Sequence, residues 1–331
     1  MGDFSKTPEW ADAVDAISVA QRVLLVAHVT PDADALGSAL AIGLSLTSAG
    51  KSVQVSVGEP DFVVPQSLEF LPGVELVVAP ENIAQPDLVI SCDTSSHERL
   101  GTLAQVLHDA PNSIAIDHHA SFTGFGKIHL VDPQAAATAE MALKLIDLLD
   151  IELTQAIAAC LYAGLVTDTG SFKFQGATGD TLRIGARLFD TGIDHSSIAR
   201  LLFDDEPFDA LTMMGTALQN AVLIPEAVNG LGLVYTTIAT GQRGDLPELA
   251  MERVIDVLRR TSEAEVAAVF KQADDGIWKG SLRSKAVIDV GAVSTALGGG
   301  GHRFAAGYTG SDDIVALIAE LTTQLASAPK I

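Results

Sequence analysis

The sequence predicts an α/β protein: an N-terminal, doubly wound parallel sheet followed by a smaller C-terminal α/β domain. Three observations carry this. Short, nearly continuous apolar runs recur through the first half, as parallel strands buried on both faces require. Segments with helical spacing separate them, the alternation that defines α/β architecture. Several runs end in aspartate or histidine, and ligands of such sheets bind beyond the carboxyl ends of the strands. With hydrophobic residues at 48 % and aromatics at only 5 % of 331 residues, Val, Leu, Ile and Ala must fill the cores.

Taken in order, residues 9–21 have the pattern of an amphipathic lead-in helix. Residues 22–29 (RVLLVAHV) form the first strand run, which Pro31 breaks. A helix is expected over 35–49, stopping at Gly50, and strands follow at 52–57 and 75–79. The run 87–92 (DLVISC) is a fourth strand, with a helix near 97–108, and 113–116 is a fifth. Residues 138–219 are mostly helical in pattern. Strand signals return at 231–238, 264–271 and 277–283, among helices near 247–261, 289–297 and 312–327. The expected division is 1–185 for the sheet domain, 186–224 for a helical linker and 225–331 for the second domain.

The net charge of −22 narrows the partners. A protein that tracks long nucleic acid carries a basic footprint, and this chain as a whole does not. Anionic ligands should therefore be small and held by local positive charge or by metals. Cys92 and Cys160 belong to no CxxC pair, which argues against a zinc ribbon or redox motif. No signal peptide is visible, and no apolar run approaches the roughly 18 residues of a membrane span. A soluble cytoplasmic protein is the expectation.

Four pieces in the first domain carry chemistry. His28, Asp32 and Asp34 follow the first strand run, and an imidazole with two carboxylates suits Mn²⁺-like metals. Read alone, Asp34 would serve as a helix N-cap and Asp32 as a turn residue. Asp93 ends a separate strand of the same sheet. Asp117, His118 and His119 end another; adjacent side chains on extended backbone point opposite ways, so one histidine is expected to bind metal while the other faces substrate or supports its neighbour. Asp168 follows an apolar helix over 156–166, where the helix dipole is already negative, a cost that a cation would offset.

The fifth piece lies in the second domain, at Gly298, Gly299, Gly300, Gly301 and His302. Glycines allow close backbone approach to an anion, and a helix starting near His302 would add free N–H groups. Residues 271–303 hold five basic residues (Lys271, Lys279, Arg283, Lys285, Arg303) against three acids (Asp274, Asp275, Asp289). This local inversion of charge is where a phosphate is expected.

Taken together, HVTPDAD, CD at 92–93, DHH at 117–119, TDTGSF at 167–172 and GGGGH at 298–302 resemble the DHH phosphoesterase family with its DHH-associated C-terminal domain. The match is closest to the NrnA-like branch of oligoribonuclease/pAp phosphatases and cyclic-dinucleotide phosphodiesterases. The resemblance spans nearly the whole chain. It implies two divalent metal ions, Mn²⁺ by expectation. His28, Asp32 and Asp93 would hold one; Asp34, Asp93, His118 and Asp168 would hold the other, with Asp93 bridging. His119 would act on the scissile phosphate, and Asp117 would orient its neighbours. Arg283, Gly299, Gly300, Gly301 and His302 would bind substrate phosphate, placing the active site in the interdomain cleft. The implied reaction is hydrolysis of short 5′-phosphorylated oligoribonucleotides, pAp, or linear and cyclic di-adenylate to mononucleotides, with no role for long nucleic acid or membrane. The resemblance is also consistent with a homodimer.

Three other readings compete. A manganese-dependent inorganic pyrophosphatase shares the HxxxDxD and DHH logic, but the GGGGH loop argues against it. A processive single-strand exonuclease would need an additional nucleic-acid domain. A non-catalytic cyclic-dinucleotide sensor would not need the complete set of acidic ligands or His119.

Overall fold

The structure, a computed structural model, describes residues 7–244, 246, 248–310 and 313–331. Two compact units divide between Asp205 and Glu206. Helix α1 (Pro8–Val19) opens the first, followed by β1 (Arg22–Ala27), α2 (Ala33–Ser48), β2 (Ser52–Val57), β3 (Leu88–Cys92) and α3 (Ala104–Asp109). Next come β4 (Asn112–Asp117), β5 (Ile128–Val131), α4 (Thr138–Leu148), α5 (Gln155–Asp168), α6 (Gly179–Asp190) and α7 (His195–Phe203).

The five strands form a fully parallel sheet in the order β2-β1-β3-β4-β5. The chain leaves β1 in one direction to reach β2 and returns to β3 on the other side. The gap between the carboxyl ends of β1 and β3 is therefore a topological switch point, where open α/β sheets place their ligands. Both faces of the sheet are covered. Val23 and Leu25 join a core with Leu36, Leu40 and Leu161, while Leu24 and Val26 join another with Leu100, Leu103 and Leu107. This alternation explains why the strand runs are apolar at every position. Helix α2 packs closely on α5: a Cβ added at Gly37 would lie 2.6 Å from the Cys160 carbonyl oxygen.

Three sequence expectations change in this unit. Residues 75–79 do not make a strand; Val74–Leu76 is a 3₁₀ turn, and only Val77 bridges to Val55. Gly73, at φ 87°, turns the chain just before, and Pro80 removes the next backbone donor. The helix expected at 97–108 is a 3₁₀ segment, His97–Leu103, with a break at Gly101 (φ 56°), followed by α3. Strand β5 was not foreseen, being four residues long and interrupted by His129.

The second unit contains α8 (Phe208–Gln219), β6 (Val222–Ile224), the single turn α9 (Ala227–Gly230), β7 (Leu233–Ile238), the short α10 (Thr240–Arg243) and α11 (Glu248–Leu258). Then follow β8 (Val266–Gln272), β9 (Trp278–Ser284), α12 (Val290–Ala296), β10 (Gly300–His302), β11 (Ala305–Gly310) and α13 (Ile314–Ala326). Its sheet runs β10-β11-β9-β8-β7-β6, with only β7 and β8 parallel. Pro247 and Asp312, expected at two helix starts, lie outside the described residues. No helix begins at His302; it belongs to β10 and pairs with Ala305. Among the described residues no helix is long and apolar enough to cross a membrane.

Candidate metal centre

The carboxyl ends of β1, β3 and β4 bring His28, Asp93 and Asp117–His119 together. Asp93 lies between two sets of donors. Its Oδ2 is 3.7 Å from His28 Nε2, and its Oδ1 is 3.4 Å from His118 Nε2. Asp32 Oδ2 approaches His28 Nε2 at 3.9 Å. Asp168, the last residue of α5, places Oδ2 3.0 Å from His118 Nε2. Asp34 Oδ2 is 4.0 Å from the same nitrogen. His28/Asp32/Asp93 and Asp34/Asp93/His118 are thus two donor groups, each tight enough to hold a cation and sharing Asp93.

Local structure accounts for these positions. Asp32, not Asp34, caps α2: its Oδ1 accepts from the N–H groups of Asp34 and Ala35, both at 3.0 Å. Its other oxygen is left facing His28, and the side chain stays half exposed. Asp34 sits inside the first turn of α2, fully buried. Its oxygens accept from Thr138 N (2.7 Å) and Ala139 N (2.9 Å), at the start of α4. The Thr138 hydroxyl donates to Asp93 Oδ1 at 2.8 Å. Thr138 therefore braces two of the acids, and nothing in sequence spacing marks it; only its place at the head of a helix crossing the sheet end does. Asp93 itself has φ 55°, an uncommon conformation for a non-glycine residue, which tends to persist at functional sites.

His119 Nδ1 and Asp117 Oδ1 are 2.7 Å apart. Asp117 is fully buried, and its Oδ2 has no hydrogen-bond partner among the described residues. The rings of His118 and His119 meet edge to face, their centroids 5.1 Å apart. His28 Nδ1 donates to the Val29 carbonyl oxygen at 2.8 Å, which leaves Nε2 with its lone pair toward Asp93. Arg99 is a residue the sequence reading missed. Its Nη2 lies 2.9 Å from His28 Nδ1 and 3.2 Å from Nε2.

The electrostatics favour a cation. Burial pushes the Asp34 carboxyl well above the ordinary carboxylate range, and the charges of Asp93 and Asp168 push it further. Burial also raises Asp168, against the pull of His118. Burial works against ionised Asp93 too, but His119, His118 and His28 outweigh it and hold that carboxyl low. Burial disfavours the His118 imidazolium, yet the bond and charge of Asp168, with Asp93 and Asp34, raise its pKa well above the usual value. Burial and the Arg99 charge lower that of His28. Asp34 and Asp168 thus hold protons more tightly than free carboxyls do, and a divalent ion would compete with those protons. The oxygen and imidazole donor set fits Mn²⁺-like ions. Cys92 is not part of it: it is buried, and burial raises its thiol pKa.

The predicted phosphate-binding residues lie on the second unit's sheet. His302 pairs with Ala305, and Ala305 pairs with Arg283, so the two basic residues share one face. The glycines differ in role. A Cβ at Gly299 would lie 2.1 Å from the Gly307 carbonyl oxygen, and one at Gly301 (φ 137°) 2.6 Å from that of Ala305. Both are required by the hairpin. A Cβ at Gly300 would meet nothing within 4 Å, and the same holds at Gly298, so of the three glycines 299–301 Gly300 is the one with open space beside it. The basic excess is partly consumed by the protein: Lys271 is buried against Glu252 and Ser281, and Lys285 binds the Thr261 carbonyl.

A parallel α/β sheet whose switch point gathers three imidazoles and five carboxylates, three of them buried, Asp168 partly buried and Asp32 half exposed, defines an α/β protein that could hold metal ions there. The model of the DHH family N-terminal domain matches residues 22–165, and that of the DHHA1 domain matches 230–327. The bifunctional oligoribonuclease and PAP phosphatase NrnA of Thermus thermophilus is 32 % identical over 290 residues, covering 87 % of this chain and 83 % of that protein. The cyclic-di-AMP phosphodiesterase PdeA of Listeria monocytogenes is 26 % identical over 338 residues, 95 % of this chain but 48 % of that longer protein. Among solved structures, an exopolyphosphatase-related protein from Bacteroides fragilis superposes with a TM-score of 0.85 at 23 % identity, covering 96 % of each chain. The chain belongs to the DHH family.

Proposed function

We propose that the protein is a two-metal phosphodiesterase, with Mn²⁺ as its ion. Its substrates would be short 5′-phosphorylated oligoribonucleotides and pAp, with linear and cyclic di-adenylate as further substrates, hydrolysed to mononucleotides. The observation that carries this is Asp93, shared between two donor groups at the sheet's switch point. The names of the relatives, an oligoribonuclease/PAP phosphatase and a cyclic-di-AMP phosphodiesterase, support the substrate class.

His28, Asp32 and Asp93 would hold one ion; Asp34, Asp93, His118 and Asp168 would hold the other. When bound, such an ion pair supplies an activated water and charge stabilisation for in-line displacement at phosphorus. The chain's own residues do the rest. Thr138 and the first N–H groups of α4 keep Asp93 and Asp34 aimed inward. Burial opposes a charged His119, but Asp93 and Asp117 raise its pKa, so it can hold a proton for the departing oxygen. Arg283, Gly300 and His302 are proposed to bind substrate phosphate, with Gly299 and Gly301 shaping the hairpin beside them. A cytoplasmic homodimer is the proposed state.

Purified protein with Mn²⁺ should be offered pAp, pApA, cyclic di-AMP, an RNA five-mer and pyrophosphate. Turnover of the nucleotides, with little of pyrophosphate, is expected. Efficient hydrolysis of pyrophosphate alone would make the chain a pyrophosphatase. Tight cyclic-dinucleotide binding with no product would make it a sensor.

A further inference from the structure

We propose that Arg99 is a phosphate-binding residue on the His28 side of the metal centre. The proposal rests on the phosphodiesterase reading and assigns a second point of recognition for the same substrate. Arg99 lies in the 3₁₀ segment that follows Asp93, and its backbone is fixed. Its carbonyl accepts from Val29 N at 2.8 Å, immediately after His28. Two residues on, Gly101 fits against Gly58 so closely that a Cβ would lie 2.2 Å from the Gly58 carbonyl oxygen. Thr102 N closes the same contact, donating to that oxygen at 2.9 Å. The loops that end β1, β2 and β3 are thus locked together, and Arg99 projects from the lock.

The acids around His28 attract the Arg99 guanidinium, yet none of them holds it. Its Nη2 is nearly equidistant from both nitrogens of the His28 ring, which places it over the ring face rather than in line with either lone pair. His28 already directs Nδ1–H to the Val29 carbonyl, so it does not need Arg99 to choose its tautomer. Among the described residues no carboxylate pairs with the Arg99 guanidinium. A fixed cation beside a metal-binding imidazole also repels the ion that imidazole holds. A bound anion would give the guanidinium the paired acceptor that no single acid of the site supplies. A guanidinium offers planar, paired donors that match two phosphate oxygens, and among the described residues Nε and Nη1 make no hydrogen bond. An oxygen bound near His28 would lie within reach of both the ion and Arg99.

The test uses the full chain loaded with Mn²⁺ and AMP, the product, as the probe. In calorimetry, Arg99→Ala should weaken AMP binding by about tenfold to a hundredfold, the usual worth of charge-assisted hydrogen bonds. Arg99→Lys should recover part of the loss. Mn²⁺ affinity and stoichiometry should stay equal or improve, because a like charge has been removed. Unchanged AMP affinity in Arg99→Ala, or a loss of Mn²⁺ binding that accounts for the whole effect, would overturn the proposal. Circular dichroism of both variants checks folding, and Arg99→Lys keeps the test decisive if the alanine variant unfolds. Failure of the wild-type chain to hydrolyse any phosphodiester would instead count against the phosphodiesterase reading, and it is measured separately.

Discussion

Asp93 concentrates the demands of this site in one residue. It is buried, shared by both donor groups, and held at a positive φ. Asp93→Ala should abolish turnover, by more than about a hundredfold, while circular dichroism stays native. A folded variant retaining near-normal rate would sink the two-metal assignment. Thr138→Val removes the hydroxyl that fixes Asp93 and keeps the side-chain shape. Mn²⁺ affinity should fall about 10–100-fold, read by metal titration. Gly164→Ala would bring a methyl 2.6 Å from Asp34 Oδ1; overpacking of this kind costs about 1–3 kcal/mol and should displace Asp34, lowering both melting temperature and metal affinity. At this scale the sequence was legible where chemistry and strand ends coincide: His28, Asp32, Asp34, Asp93, His118 and Asp168 are donor types just past apolar runs. Arg99 and Thr138 were not legible, because a helix start and a 3₁₀ loop reach the site through tertiary packing. Lys271 misled for the opposite reason: charge in a strand run says nothing of a buried partner on α11.

At the scale of elements, buried parallel strands declare themselves by continuous apolar runs, and β1, β3 and β4 lie where those runs are. The short edge pieces do not. Strand β10 holds two glycines and a histidine, and its pairing with β11 depends on backbone bonds that glycine makes sterically affordable rather than on any apolar pattern. In the second unit Glu265 ties elements together. Glu265 Oε1 accepts from Ala286 N (2.9 Å), Val287 N (2.6 Å), Ile288 N (3.3 Å) and the Ser284 hydroxyl (2.8 Å). Burial opposes its charge, but these bonds outweigh burial and depress its pKa. A depressed carboxyl stabilises the fold above its unfolded value, about 4.3, and that contribution is lost as pH falls through the folded value. Glu265→Ala should destabilise the second unit by about 1–3 kcal/mol at neutral pH, seen in urea melts. The difference from wild type should shrink below pH 4; a constant difference would contradict the linkage.

For the whole molecule, the two donor groups that share Asp93 lie in the first unit, and the two units are separately compact. Metal should therefore stabilise the first unit selectively, by about 2.7 kcal/mol per site at a hundred times Kd. Chelation should lower its melting transition and leave that of the second unit in place, as calorimetry can show. The pH dependence has a definite sign. Asp34, buried among other acids, and His118, beside Asp168, hold protons more tightly than usual. An entering cation must expel them, so metal affinity should rise with pH and weaken as the solution is acidified. Calorimetry in buffers of different ionisation enthalpy should detect the released protons.

The grip of α4 on Asp34 has a consequence for kinetics. The two N–H groups at the head of that helix offer the carboxylate a share of positive charge at all times. They work as a permanent understudy for the ion, keeping the acid aimed when no ion is present. Loading then needs no rearrangement of the sheet end, and its speed should follow how readily the incoming ion sheds its own water. Ions of similar size should exchange quickly, so the metal found in the protein would report the supply around it more than a choice made during folding.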